Sequence, residues 1–215
     1  MYSLYKNEQS GRSMVEMLGV LAIIGVLSIG GISGYSRAMS KYRVNKTLDQ
    51  ISMLVMNIRS LFSASVDYAN LTPELAVKMG IVPRDMLKPD ETEATATGIM
   101  NAYNGSVFVG NPDGNTRQFY VEYTGLTQEA CVSIATADWG SQAGSGLVSI
   151  AVGPAPGTKA ALLEAEANPA LSADAAVYTM GGTDGKSIPI SISEAATQCS
   201  NSADDTGNAV RWVYY

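Results

Sequence analysis

The 215-residue sequence contains no histidine, and that absence removes the commonest general base and the commonest metal ligand together. No recognised nucleophile motif takes its place. The sequence therefore implies no enzyme, no catalytic residue, no cofactor and no metal. Cysteine is nearly absent too. Cys131 and Cys199 are the only two, too far apart for a CxxC redox pair or a zinc ligand cluster. They read as one disulfide formed in an oxidising compartment, against the alternative of two buried free thiols. A bridge over that loop is worth about 4 kcal/mol in the chain-entropy account. Asn111, Asp113 and Asn115 alternate like the start of a calcium loop, but the later glutamate is missing and Pro112-Asp113-Gly114-Asn115 reads as a turn.

There is no excess of positive charge. Fourteen Lys and Arg stand against twenty Asp and Glu, a formal net charge of -6, so net charge points to neither nucleic acid nor an anionic membrane surface as a partner. Arg84, Lys88, Arg117, Lys159, Lys186 and Arg211 are dispersed along the chain. Their convergence in space would be needed for a DNA-binding reading.

Proline is missing before Pro73, and between Arg12 and Arg37 the only charge is Glu16. The stretch from Met14 to Ala38 is long enough to cross the roughly 30 Å hydrocarbon core, and it reads as a transmembrane helix, against a buried core helix. Beyond it, Val44, Leu48, Ile51, Val55, Ile58 and Phe62 recur at spacings of three and four, an amphipathic stripe on the same helix. One helix over residues 12–66 is expected, a rod on the order of 80 Å. Its second half needs a globular partner. Its first half needs lipid or other copies of itself.

The fold expected after the helix is α+β, with a mainly antiparallel sheet laid on the amphipathic half. Residues 67–105 read as a connecting loop holding a short helix from Thr72-Pro73-Glu74 to near Gly80. Strands are expected at 106–109, 119–123, 147–152, 188–192 and 210–214, and helices at 127–137 and 159–166. The terminal Arg211-Trp212-Val213-Tyr214-Tyr215 reads as a final strand packed on the sheet, against an exposed adhesive patch. Asp204-Asp205 reads as a solvated turn. Gly30 and Gly34 form a small-xxx-small pair that lets helices approach closely.

The run Gly11-Arg12-Ser13-Met14-Val15-Glu16-Met17-Leu18-Gly19 and the apolar residues after it resemble the class III signal of type IV prepilins. The resemblance implies a leader at 1–11, cut between Gly11 and Arg12 by a prepilin peptidase, with Arg12 becoming the N-methylated mature N-terminus. A hydrophobic residue is usual where Arg12 stands. Glu16 then falls at the fifth mature position, where the resemblance implies a salt bridge with the α-amine of a neighbouring subunit. A free α-amine has a pKa of about 7.7 to 8 and is largely cationic at neutral pH. Glu16 stands at the start of the span. A carboxylate costs about 2.5 to 3.5 kcal/mol near the centre of a span and less near the interface, so it calls for a partner; the alternative is an interfacial glutamate that snorkels to water.

Tyr123-Thr124-Gly125-Leu126-Thr127-Gln128-Glu129-Ala130-Cys131 is similar to the segment leading into the first disulfide cysteine of the type IVb toxin-coregulated pilin group, with Cys199 as the second. The resemblance spans Gly11 to Phe62 and Tyr123 to Cys199, and does not extend across Leu71 to Gly105. It implies a major pilin that polymerises with itself for adhesion, aggregation or DNA transfer. Its other implied partners are membrane lipid, the inner-membrane assembly platform, minor pilins, and a host-cell or bacterial-surface receptor. It also implies an inner-membrane precursor with a cytoplasmic N-terminus, followed by an extracellular pilus. Lys41, Arg43 and Lys46 follow the span, so a positive-inside count does not by itself select that orientation. The competing readings are a minor pilin, a secretion pseudopilin, and a membrane-anchored adhesin or DNA-binding module.

Overall fold

The structure is a computed structural model describing residues 14–65, 67–87, 98–112, 115–140, 144–156, 172–183, 185–200 and 206–215. Helix α1, Met14–Phe62, runs for 49 residues without a break, as the absence of proline predicts. It ends four residues before the expected limit. Ser63 Oγ donates to the Ser60 carbonyl at 2.8 Å and the Ser65 amide to Phe62, so local turns replace the helical ladder there. The chain divides into two compact units, 1–42 and 43–215. In the first, the described residues of α1 up to Ala38 are exposed on every side.

In the second unit the stripe from α1 becomes core. Ile51, Val55 and Ile58 of the stripe, together with Leu54, which the expected spacing did not include, are buried in one cluster with the sheet residues Val107, Val121, Tyr123, Ile150, Val210 and Trp212. Among the described residues the sheet has seven strands: β1 Ile99–Met100, β2 Ser106–Gly110, β3 Phe119–Leu126, β4 Leu147–Pro154, β5 Ala176–Met180, β6 Ser187–Ile188 and β7 Asn208–Tyr214. Their order is β1-β2-β3-β7-β4-β5-β6, antiparallel throughout except for the short parallel pair β5 and β6. The expected α+β architecture is therefore present. The C-terminal strand lies in the middle of the sheet, between β3 and β4. Trp212 and Tyr214 are buried there, so the last strand is structural and the adhesive-patch alternative falls.

Two helices face one another across the cysteines. Helix α3, Gln128–Ala135, is capped by Thr127 Oγ1, which accepts from the Ala130 amide, and it carries Cys131. Helix α4, Ile192–Gln198, ends at Cys199, and Cys131 and Cys199 are joined in a disulfide. The strand expected at 188–192 is thus corrected. Pro189 interrupts pairing after Ile188, and Ser191 caps α4 by accepting from the Glu194 amide at 3.2 Å.

The expected connecting loop does more than connect. Helix α2, Pro73–Lys78, forms as expected on its Thr72 cap, and Leu71, Ala76, Val77, Ile81 and Met86 are buried in the main core. Strands β1 and β5 are additions to the expected set. The helix expected at 159–166, and the turn at Asp204-Asp205, lie outside the described residues.

Candidate assembly site

An assembly surface must be exposed and apolar, and the first half of α1 has both properties. Met14, Leu18, Leu21, Ile23, Val26, Ile29 and Ile32 all project outward, Val26 and Ile29 at 73 % exposure. The helix is long and apolar enough to cross a membrane, and the apolar window is wholly unburied within the chain. So large an uncovered apolar area needs a lipid or protein cover.

Glu16 lies in the first turn of α1 as an exposed carboxylate, near the positive end of the helix dipole. Gly30 and Gly34 lie one turn apart on the same helix, and a Cβ added at either would meet nothing within 4 Å. That leaves room for a neighbouring backbone. The helix runs through Gly30, Gly31 and Gly34 without unwinding. Gly11 and Arg12, the expected cleavage and methylation positions, lie outside the described residues.

The second unit holds its part of α1 by polar contacts that the hydrophobic periodicity does not reveal. Asp85 Oδ2 accepts from Gln50 Nε2 at 3.0 Å and pairs with Lys46 Nζ at 3.1 Å, while Asn57 Nδ2 donates to the Ile81 carbonyl at 2.7 Å. Burial alone would raise the Asp85 carboxyl, but the hydrogen bond from Gln50 and the Lys46 ammonium together hold it below its ordinary value. These contacts fasten the 81–87 segment to the helix. Arg59 lies over the Tyr214 ring, 4.7 Å from its centroid.

A second group was also missed by the sequence reading. Glu122 is fully buried on the sheet face opposite α1. Its Oε2 accepts from Arg211 Nε at 2.6 Å and also contacts Nη2 of the same guanidinium. The only signal was alternation: Glu122 and Arg211 are direct partners in the β3–β7 register. Burial pushes the Glu122 carboxyl up, and Arg211 offsets only part of that rise. Arg211 also lies 4.3 Å from the centroid of the Tyr120 ring. It is committed to its own sheet, which removes one member of the basic set that a DNA-binding reading requires. Among the described residues no cluster of acidic or cysteine side chains could hold a metal ion.

Comparison with known proteins places this geometry. The family described as PilS N terminal matches residues 41–214, which is most of the chain and includes the 71–105 stretch where no resemblance was read. The chain belongs to the PilS family of type IV pilins. The major structural subunit of the bundle-forming pilus of Escherichia coli O111:H- is 26% identical over 96% of this chain and 95% of that protein. The toxin coregulated pilin of Vibrio cholerae is 25% identical over 61% of this chain and 58% of its own length. Among solved structures, a type IVb pilin from Salmonella typhi is similar at TM-score 0.48 and 16% identity, covering 78% of this chain and 97% of that one. In this PilS-family chain the disulfide-closed α+β unit is the head, and the exposed α1 segment precedes it. Pilins are structural proteins, and the apolar helix fits a membrane anchor.

Proposed function

We propose that this chain is the major structural subunit of a type IVb pilus, held first in the inner membrane by α1 and then packed by the same helix into the core of an extracellular filament. The single observation that carries the reading is the exposure of the Met14–Ala38 stretch of α1 on a chain whose remaining unit has its own closed core. A relative named as a major structural subunit matches over almost the whole length, which favours this over a minor pilin or a pseudopilin. The fibre serves adhesion, aggregation or DNA transfer.

Processing removes residues 1–11. A prepilin peptidase cleaves between Gly11 and Arg12 on the cytoplasmic side, and the Arg12 α-amine is methylated. Glu16 then receives the α-amine of an adjacent subunit, which sets the axial step, and Gly30 and Gly34 let neighbouring helices approach. The inner-membrane platform and minor pilins act before the subunit joins the filament, and lipid covers α1 until then. A host-cell or bacterial-surface receptor would meet the head.

Intact mass and N-terminal sequencing of protein sheared from the producing cell test the reading. The expected chain begins at Arg12, carries a methyl group and lacks two hydrogens for the Cys131–Cys199 bridge. A full-length chain confined to the membrane would refute it.

A further inference from the structure

The outward face of α1 within the head is polar, with one interruption. Asn45, Asp49, Ser52 and Ser60 are exposed along it, as helical positions facing water generally are. Met53 and Met56 stand in the middle of that run, three residues apart and therefore neighbours on one side of the helix, and they are 51 % and 69 % exposed. Between Asn45 and Ser60 no other large apolar side chain is exposed. Folding of the head does not account for them. Its core takes Leu54, Val55 and Ile58 from the same turns, and the methionine it buries, among the described residues, is Met86. Lys, Glu and Gln have about the helix propensity of Met, so local structure does not ask for thioethers there either.

A thioether on such a surface is chemically open. Hydrogen peroxide transfers one oxygen to its sulfur: the S–O bond forms as the O–O bond breaks, the sulfur loses two electrons to the peroxide, and water leaves. The product, methionine sulfoxide, is polar where the thioether was apolar, and enzymatic reduction reverses it. Met86, fully buried, is shielded from the same attack. The consequence depends on what the face meets next. In water the sulfoxide is solvated and the head keeps its core. Against packed side chains it is a polar group buried without a partner.

We propose that Met53 and Met56 are a reversible oxidation site that decides whether a subunit is admitted to the filament: as thioethers they pack against a second copy of this chain, and as sulfoxides they are refused. The inference rests on the pilin reading above, which brings the α1 helices of neighbouring copies together, and it adds a chemical control on that step. Thioethers suit such a contact because they are unbranched and polarizable and fill irregular gaps. A subunit oxidised while it waits in the membrane keeps its apolar anchor and its closed head. Only its incorporation changes.

Lys46 and Arg59 bracket the two methionines, so one tryptic peptide, residues 47–59, carries both and no other methionine. Existing filaments are sheared from producing cells, a brief hydrogen peroxide pulse is given and quenched, and the sulfoxide fraction of that peptide is compared between the membrane pool and the regrown filaments. Met180, 37 % exposed on β5, is the internal reference that corrects for subunits made after the pulse. Relative to Met180, sulfoxide in the 47–59 peptide should be depleted at least about tenfold in the filaments, as burial of an unpaired polar group requires. Equal ratios would overturn the proposal, and so would a membrane pool oxidised at Met180 but not at Met53 or Met56. In untreated cells Met53→Gln with Met56→Gln, which makes the polar state permanent, should cut filament yield by a similar factor and leave the membrane pool unchanged. Met53→Leu with Met56→Leu should match wild type. A full yield from the glutamine variant, a loss matched by loss of its membrane pool, or an equal loss from the leucine variant would overturn the site and leave the pilin reading standing. Absence of wild-type filaments would take down both.

Discussion

At the scale of single residues, the buried pair Glu122 and Arg211 is the place where one substitution has the largest expected effect. Glu122 has no exposure and Arg211 very little, and Glu122 Oε1 has no hydrogen-bond partner, so the pair is desolvated but incompletely satisfied. Arg211→Leu leaves a carboxylate buried without its cation. It should destabilise the fold by about 3–5 kcal/mol at neutral pH, read from the urea midpoint of the detergent-solubilised chain. Combining it with Glu122→Leu should recover most of that loss, because the second change removes the stranded charge. A double variant as unstable as the single one would show that packing rather than charge dominates. The same residue sets one limb of the pH profile. The folded state holds the Glu122 proton more tightly than the unfolded chain does, so stability falls as pH rises above the unfolded value near 4.5 and levels once the folded group has ionised. Asp85 acts with the opposite sign at lower pH. Its carboxyl is held below 3.8, so its contribution is present above that value and is lost as pH falls through the lowered one. Urea midpoints across pH should therefore pass through a maximum. Asp85→Asn should flatten the acid limb and Glu122→Gln the descending one.

At the scale of elements, α1 was legible because its signals are long-range and redundant: no proline, one charge across the span, and threes and fours from Val44 to Phe62. Leu54, fully buried beside Val55 of that stripe though not one of its expected positions, should cost about 2–5 kcal/mol when cut to alanine, whereas Met56, 69 % exposed two residues on, should cost little. Comparable losses at both positions would mean that the stripe does not face the head. The strands were less legible because the sheet is buried on both faces near its centre. Every residue of β2 is buried, and Phe108 and Tyr120 occupy the face away from Ile51 and Leu54. Alternation, the strongest strand signal, is thereby erased. The segment 188–192 was misread for the converse reason. Ser187 to Ser193 alternates polar and apolar residues almost perfectly, yet Pro189 and the Ser191 N-cap, which accepts from the Glu194 amide, outweigh the pattern. The hold of Asp85 on Lys46 and Gln50 left no periodic trace, since it joins parts of the chain 35 or more residues apart. The cysteines ended on facing helices, α3 and the C-terminus of α4. Removing the bridge by Cys131→Ser with Cys199→Ser should lower stability by about 4 kcal/mol, measured as the difference in urea midpoint between the variant and the oxidised chain.

At the scale of the whole molecule, the division of labour read from the sequence is a division of solvents. Among the described residues, the buried core belongs entirely to the unit 43–215, and those of the unit 1–42 bury none fully. The apolar window of the first unit is wholly unburied, so it retains almost all of its capacity to associate. Self-assembly and stability should then respond to different changes. A chain lacking residues 1–38 keeps the whole stripe from Val44 to Phe62 and should unfold in one cooperative transition, at the urea midpoint of the full chain in detergent. Without detergent it should stay monomeric in sedimentation, whereas the full chain should associate, because its uncovered leucines and isoleucines have no other way to leave water. Gly30→Leu with Gly34→Leu provides the reciprocal change. Both positions open onto empty space, so the head should keep its midpoint and the helix should gain intrinsic propensity, while close helix approach, and with it filament yield, should be lost. If the truncated chain lost its cooperative transition, the two units would be coupled in folding. Apolar exposure of the first would then be a property of an incompletely packed fold rather than a reserve held for the filament.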